Sequence, residues 1–162
     1  MTEKIIIRTI RQEDDFYIAK IIRDALTEFG LNKPGTVFTD PETDHLSGVY
    51  QKENAIYFIV ELNGKIVGGA GIGPVGNPEL LTCELQKMYL IPEMRSNGIS
   101  KLLIEKCFEA AKKYGYAFCY LETAKELATA VRIYHHWGFE RIENAIGDTG
   151  HFSCEIKMLK KI

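Results

Sequence analysis

The sequence predicts an α+β fold with a mixed, mostly antiparallel sheet and a central parallel strand–helix–strand unit. Three observations predict it. β-rich runs and runs of 3.6-residue period alternate in the order β-α-α-β-β-β-α-β-α-β-β. Asn63-Gly64 joins two apolar runs, a strong two-residue hairpin signal. A strand-like run at 81–91, a helical stripe from Ile99 to Tyr114 and a second run at 117–124 make a connection long enough to bring the two strands parallel, with a right-handed crossover. The 162 residues hold no internal repeat, low-complexity tract or linker, so one domain is expected over 1–162.

Residues 4–10 read as the first strand. In 13–30, Ile18, Ile21, Ile22, Ala25 and Phe29 share one helical face, acids crowd the first turn and Gly30 stops the helix. The segment 31–40 is a loop. Asp40-Pro41 reads as an N-cap with proline at the first helical position, opening a short helix faced by Leu46, Val49 and Tyr50. The hairpin occupies 55–75. After the strand at 81–91 and a turn, Ile99, Leu102, Leu103, Cys107, Ala110, Ala111 and Tyr114 form the apolar stripe of a helix ended by Gly115. A helix over 127–139 and closing strands at 140–144 and 151–159 complete the chain.

Hydrophobic residues are 46% and charged residues 26%, the balance of a folded globular domain. A net charge of −2 provides no overall basic field for nucleic acid. No apolar run approaches the ~18 residues of a membrane span, and the N-terminus lacks a signal-peptide pattern. No membrane partner and a cytoplasmic location are therefore expected. Cys83, Cys107, Cys119 and Cys154 form no C-x-x-C pair and sit in apolar segments, which points to reduced thiols and no metal site.

The turn Arg95-Ser96-Asn97-Gly98-Ile99-Ser100 is more elaborate than a strand-to-helix connection needs. Amides at the start of a helix are unpaired and carry partial positive charge, and a glycine lets an anion approach the backbone. Arg95 and Lys101 add charge. The residues alone admit both an anion-binding turn and an ordinary glycine-containing helix start; a nucleotide P-loop and a dinucleotide fingerprint are both absent.

The element order and the 85–115 segment resemble the GNAT superfamily of N-acetyltransferases. That family's acyl-CoA turn, Arg/Gln-x-x-Gly-x-Gly/Ala, follows a strand ending in a Y-V-x-P pattern. Here Tyr89-Leu90-Ile91-Pro92 precedes Arg95-Ser96-Asn97-Gly98-Ile99-Ser100. "IYHHWGF", 133–139, resembles the family's "LYEKLGF". Two positions depart. Ser100 replaces the usual small final residue, with a hydroxyl expected to contact a phosphate. Leu127 stands where many members carry an asparagine that touches the cofactor, which puts that contact in question.

The resemblance implies helices on both faces of the sheet and acetyl-CoA as co-substrate. It assigns Met88, Tyr89 and Leu90 to the pantetheine arm and thioester, and Arg95, Ser96, Asn97, Gly98, Ile99, Ser100 and Lys101 to the phosphates. Tyr134 corresponds to the family tyrosine near the sulfur. A phenol of pKa ~10 protonates a thiolate of pKa ~8.5 downhill; the alternative is a half-buried core tyrosine. An amine of pKa ~10.4 must first lose a proton. Glu84 is the candidate base, with alternation placing Glu84, Gln86, Met88 and Leu90 on one face; the alternative is a charged residue at a sheet edge. Glu122 reads as structural. The acceptor pocket is expected from the first two helices, their loop, the hairpin and the last strands, with Phe29, Asn32, Phe38, His45 and His151 as candidates. The expected partner is a small-molecule or peptide amine, with a homodimer left open. A non-catalytic acyl-CoA sensor on the same fold is the competing function.

Overall fold

A computed structural model describes residues 2–162. One seven-stranded sheet runs through it in the order β1-β2-β3-β4-β5-β7-β6. The strands are β1 (Ile5–Thr9), β2 (Ile56–Leu62), β3 (Lys65–Pro74), β4 (Thr82–Leu90), β5 (Phe118–Thr123), β6 (Glu140–Ile142) and β7 (Ile156–Lys161). The helices are α1 (Asp15–Glu28), α2 (Leu46–Val49), α3 (Ile99–Lys113) and α4 (Ala128–His136). Element order matches the sequence expectation throughout. All strand pairs are antiparallel except β4 with β5. Asn63 and Gly64 both take positive φ, as the tight hairpin between β2 and β3 requires.

Alternation along β2 divides the core between two faces. Tyr57 and Ile59 pack with Ile18, Ile22 and Leu26 of α1 and Leu46 of α2. Val60 packs with Leu103, Ile104 and Cys107 of α3 and Val131 of α4. Helices therefore cover both faces, and burial of these apolar side chains drives the assembly. Leu102, expected in the buried stripe of α3, is exposed; Ile104 takes its place. Gly71 lies so close to Tyr57 that a Cβ there would come 2.6 Å from the ring, so only glycine lets Tyr57 lie flat on β3. Among the described residues no helix is long and apolar enough to cross a membrane.

Two local expectations change. β4 does not alternate uniformly: its register with β3 shifts between Gly69 and Gly71, and Lys87 takes φ 50°. This bulge inserts one residue and reverses the faces beyond it. Glu84 and Gln86 face the α1 side, but Met88 and Leu90 pack on the α3 side and Tyr89 on the α1 side. The last strand begins at Ile156, not at His151. Residues 151–155 instead cross to the α1–α2 loop, where the Ser153 amide donates to the Gly35 carbonyl at 3.0 Å.

Candidate active site

β4 and β5 pair only over Thr82–Glu84 and Phe118–Tyr120. Beyond these, β4 runs on to Leu90 against β3 and β5 to Thr123 against β7, but the two no longer pair with each other and part. β4's edge toward β5 thereby loses its ladder partner, leaving backbone donors and acceptors for another chain-like group. A cavity of about 330 Å³ occupies this region, lined among others by Glu84, Gln86, Met88, Tyr89, Leu90 and Tyr134.

One end of the same cavity is the turn, with Arg95, Ser96 and Ser100 in its wall. Ser96 and Gly98 both take positive φ, 65° and 76°. The six successive amides of Ser96 to Lys101 donate to no backbone carbonyl among the described residues. Such a run of converging N–H groups at a helix start forms an anion nest. A Cβ at Gly98 would meet nothing within 4 Å, so the glycine answers the left-handed φ and leaves the space above it clear. These features fit the phosphates of CoA, and the free edge of β4 fits its amide-bearing arm.

The side chains at the turn behave differently from its backbone. The Arg95 guanidinium is held by both oxygens of Glu28, at 3.0 and 2.9 Å, donates to the Leu90 carbonyl at 3.2 Å and lies 5.5 Å above the Phe29 ring. These contacts brace the strand end against α1, and the side chain still borders the cavity. Lys101 is exposed, 4.0 Å from Glu105. The Ile99 side chain is buried in the core, so only its amide faces the turn. Asn97 donates weakly, at 3.5 Å, to the Glu93 carbonyl.

Tyr134 lies among Trp137 and Phe139, with ring centroids 6.3 and 5.8 Å away. Burial pushes its phenol up to about 12, so it stays protonated across the neutral range. Glu84 is only 6% exposed. Burial raises its carboxyl above the ordinary range, the hydrogen bond from Gln86 opposes this, and the neighbouring Glu122 adds to it. The Gln86 Nε2 donates to Glu84 at 2.6 Å, while the Tyr50 hydroxyl donates to Gln86 Oε1 at 2.6 Å. Gln86 is thus fixed from α2's end and orients the carboxylate.

Phe29 and His151 also line the cavity. His151 Nε2 lies 2.8 Å from Asp40 Oδ2, which ties the last loop to the α1–α2 loop. Asp40 stands at the N-cap with Pro41 in the first turn, as expected, but makes no side-chain cap bond: its carboxylate is spent on His151. Asn32 and Phe38 do not line the cavity; Asn32 is exposed and Phe38 packs beneath α1. His45 belongs to a separate depression with Thr9, Asp15 and Ser47. Leu127 lines the cavity with an apolar side chain, so the asparagine contact of the resembled family has no equivalent there. Sequence reasoning missed Gln86 as an orienting group, and Lys87, Trp137 and Cys154 as cavity residues. Alternation already placed Gln86 beside Glu84; the others carried no local signal. Glu122, read from the sequence as structural, accepts from the Thr149 hydroxyl and also lines the cavity.

The Acetyltransferase (GNAT) family matches residues 18–139. The N-acetyltransferase YjgM of Escherichia coli, described as uncharacterized, is 40% identical over 158 residues, covering 97% of this chain and 95% of that one. A GNAT-family acetyltransferase structure from Staphylococcus aureus superposes with a TM-score of 0.84 at 20% identity, covering 98% of this chain and 99% of that chain. The PaiA N-acetyltransferase of Thermoplasma acidophilum, solved with coenzyme A, superposes at 0.77 with 18% identity over 98% and 99%. With the splayed strands and the amide nest, these matches establish that the chain belongs to the GNAT family and is an acetyl-CoA-dependent N-acetyltransferase.

Proposed function

We propose that the chain moves an acetyl group from acetyl-CoA to the primary amine of a small molecule or peptide by direct attack in a ternary complex. The observation that carries this reading is that one cavity joins the amide nest at Ser96–Ser100 to Tyr134 and Glu84. The four free cysteines support a reducing, cytoplasmic setting.

The backbone amides from Ser96 to Lys101 hold the phosphates. The free edge of β4 at Met88, Tyr89 and Leu90 holds the pantetheine arm. Bound acetyl-CoA supplies an acyl group activated as a thioester. A backbone N–H of β4 stabilises the negative charge that grows on the carbonyl oxygen, as preorganised donors do. Glu84, with its basicity raised by burial, accepts the proton of the incoming ammonium. Tyr134, still protonated because burial raises it to about 12, donates to the departing sulfur. Phe29 and His151 border the acceptor space.

The test is a panel of amines incubated with acetyl-CoA, with release of free thiol as the readout. Thiol release that depends on an amine supports the reading. Acetyl-CoA that raises Tm by mass action, with no amine giving thiol, contradicts it.

A further inference from the structure

Lys87 is the residue of the bulge in β4, and the mechanism above leaves it unused. Its carbonyl accepts from the buried Tyr57 hydroxyl at 2.7 Å, which fixes the backbone at the bulge. It lines the same cavity as Glu84. The part-buried arginines of this protein are each matched by a carboxylate: Arg8 by Asp14 and Glu61, Arg23 by Asp44, Arg95 by Glu28. The Lys87 ammonium has no carboxylate within 4.0 Å and donates no hydrogen bond among the described residues. Asp40, Glu42 and Glu84 surround it at longer range, and burial lowers its pKa. A half-buried cation without a partner is costly, and the cost is recovered when a ligand supplies the anion.

We infer that Lys87 anchors a carboxylate on the acceptor, so that the acceptor is a small amino acid rather than a polyamine or the amine of a peptide. The inference rests on the acetyl-transfer reading of this cavity. Three features converge on it. Glu84 and Lys87 line one cavity, offering an anion for the ammonium of a zwitterion and a cation for its carboxylate. The phosphates have their own nest at the turn, so Lys87 is not needed there. A cavity of about 330 Å³ stands at the low end for ligand pockets. It is shared with the pantetheine arm, so the part beside Glu84 and Lys87 is smaller still.

The test uses the full chain, with Lys87→Met and Lys87→Arg variants, and matched acceptors: common amino acids and their carboxamides. Wild type should favour each acid over its carboxamide by about 10- to 100-fold in kcat/KM, the worth of a charge-assisted hydrogen bond. Lys87→Met should erase that preference by raising KM for the acids. Because the Lys87 charge also acts on Glu84, Lys87→Met should slow acids and carboxamides alike by a shared factor but cost the acids an additional 10- to 100-fold, the same worth of a charge-assisted hydrogen bond, with acetyl-CoA affinity kept, and Lys87→Arg should keep part of the preference. Equal use of acids and carboxamides by wild type overturns the inference. So does an equal loss on both classes in Lys87→Met.

A second readout does not need turnover. On protein saturated with CoA, calorimetry compares an N-acetyl amino acid with its N-acetyl carboxamide. Selective binding of the acid, abolished in Lys87→Met, upholds the carboxylate anchor even if no amine releases thiol, in which case only the transfer reading fails. Binding without selectivity, or no binding of either, overturns the anchor.

Discussion

Replacing Glu84 by Gln separates its chemistry from its place in the fold. The side chain is 6% exposed and holds a 2.6 Å hydrogen bond from Gln86, so an amide of the same shape keeps the packing. If Glu84 takes the proton of the acceptor, the rate at pH 7 should fall ~10²–10⁴-fold. The deficit should shrink toward pH 9, as an amine of pKa ~10.4 loses its proton unaided. The stability effect has the opposite sign. The folded carboxyl has a raised pKa, so the native state binds more protons than the unfolded chain through the window between the two values. Stability of the wild type therefore falls as pH rises from the ordinary carboxylate range through the raised pKa, and is level above it. A tenfold weaker acid in the folded state corresponds to ~1.4 kcal/mol. In a domain of this size that is about 3–5 °C in Tm. Glu84→Gln should melt higher than wild type at pH 8 by that amount for every tenfold weakening of the acid, and the two curves should meet near pH 4. Paired Tm and rate profiles against pH measure both effects. A rate loss equal at every pH, or a Tm difference that does not vary with pH, would refute the reasoning.

Two further substitutions probe neighbouring parts. Gly98→Asp should remove the rise in Tm given by acetyl-CoA, because it places a charge over the amide nest and forces a side chain into φ 76°; an undiminished rise would show that the phosphates bind elsewhere. Gln86→Leu strands the Tyr50 hydroxyl and Glu84, which should cost about 1–3 kcal/mol by denaturant unfolding. Since the Gln86 bond lowers the Glu84 pKa, its loss should move the acid limb of kcat/KM to higher pH.

The order of elements, the hairpin at Asn63-Gly64, the parallel β4–β5 unit and the turn were all legible in the sequence, because local periodicity and glycine placement encode them. The reversal of faces along β4 was not. It depends on the register of β4 against Gly69 and Gly71 and on the Tyr57 hydroxyl that holds the Lys87 carbonyl. The engagement of Arg95 was equally hidden, since Glu28 lies 67 residues away in sequence. Asp40 takes the cap position that the sequence indicates but not the cap bond, because His151, 111 residues distant, takes its carboxylate. Alternation and the family resemblance named the candidate groups; tertiary contacts decide how each of them is held.

Turnover and acetyl-CoA affinity measured on one preparation of Tyr134→Phe test the assignment of the reacting groups most directly. The substitution keeps the ring against Trp137 and Phe139 and removes only the hydroxyl. A positioned acid is worth ~10²–10⁴-fold, so turnover should drop by that factor while acetyl-CoA affinity and Tm stay near wild type. Near-normal turnover with a lowered Tm would contradict the assignment and leave Tyr134 a packing residue.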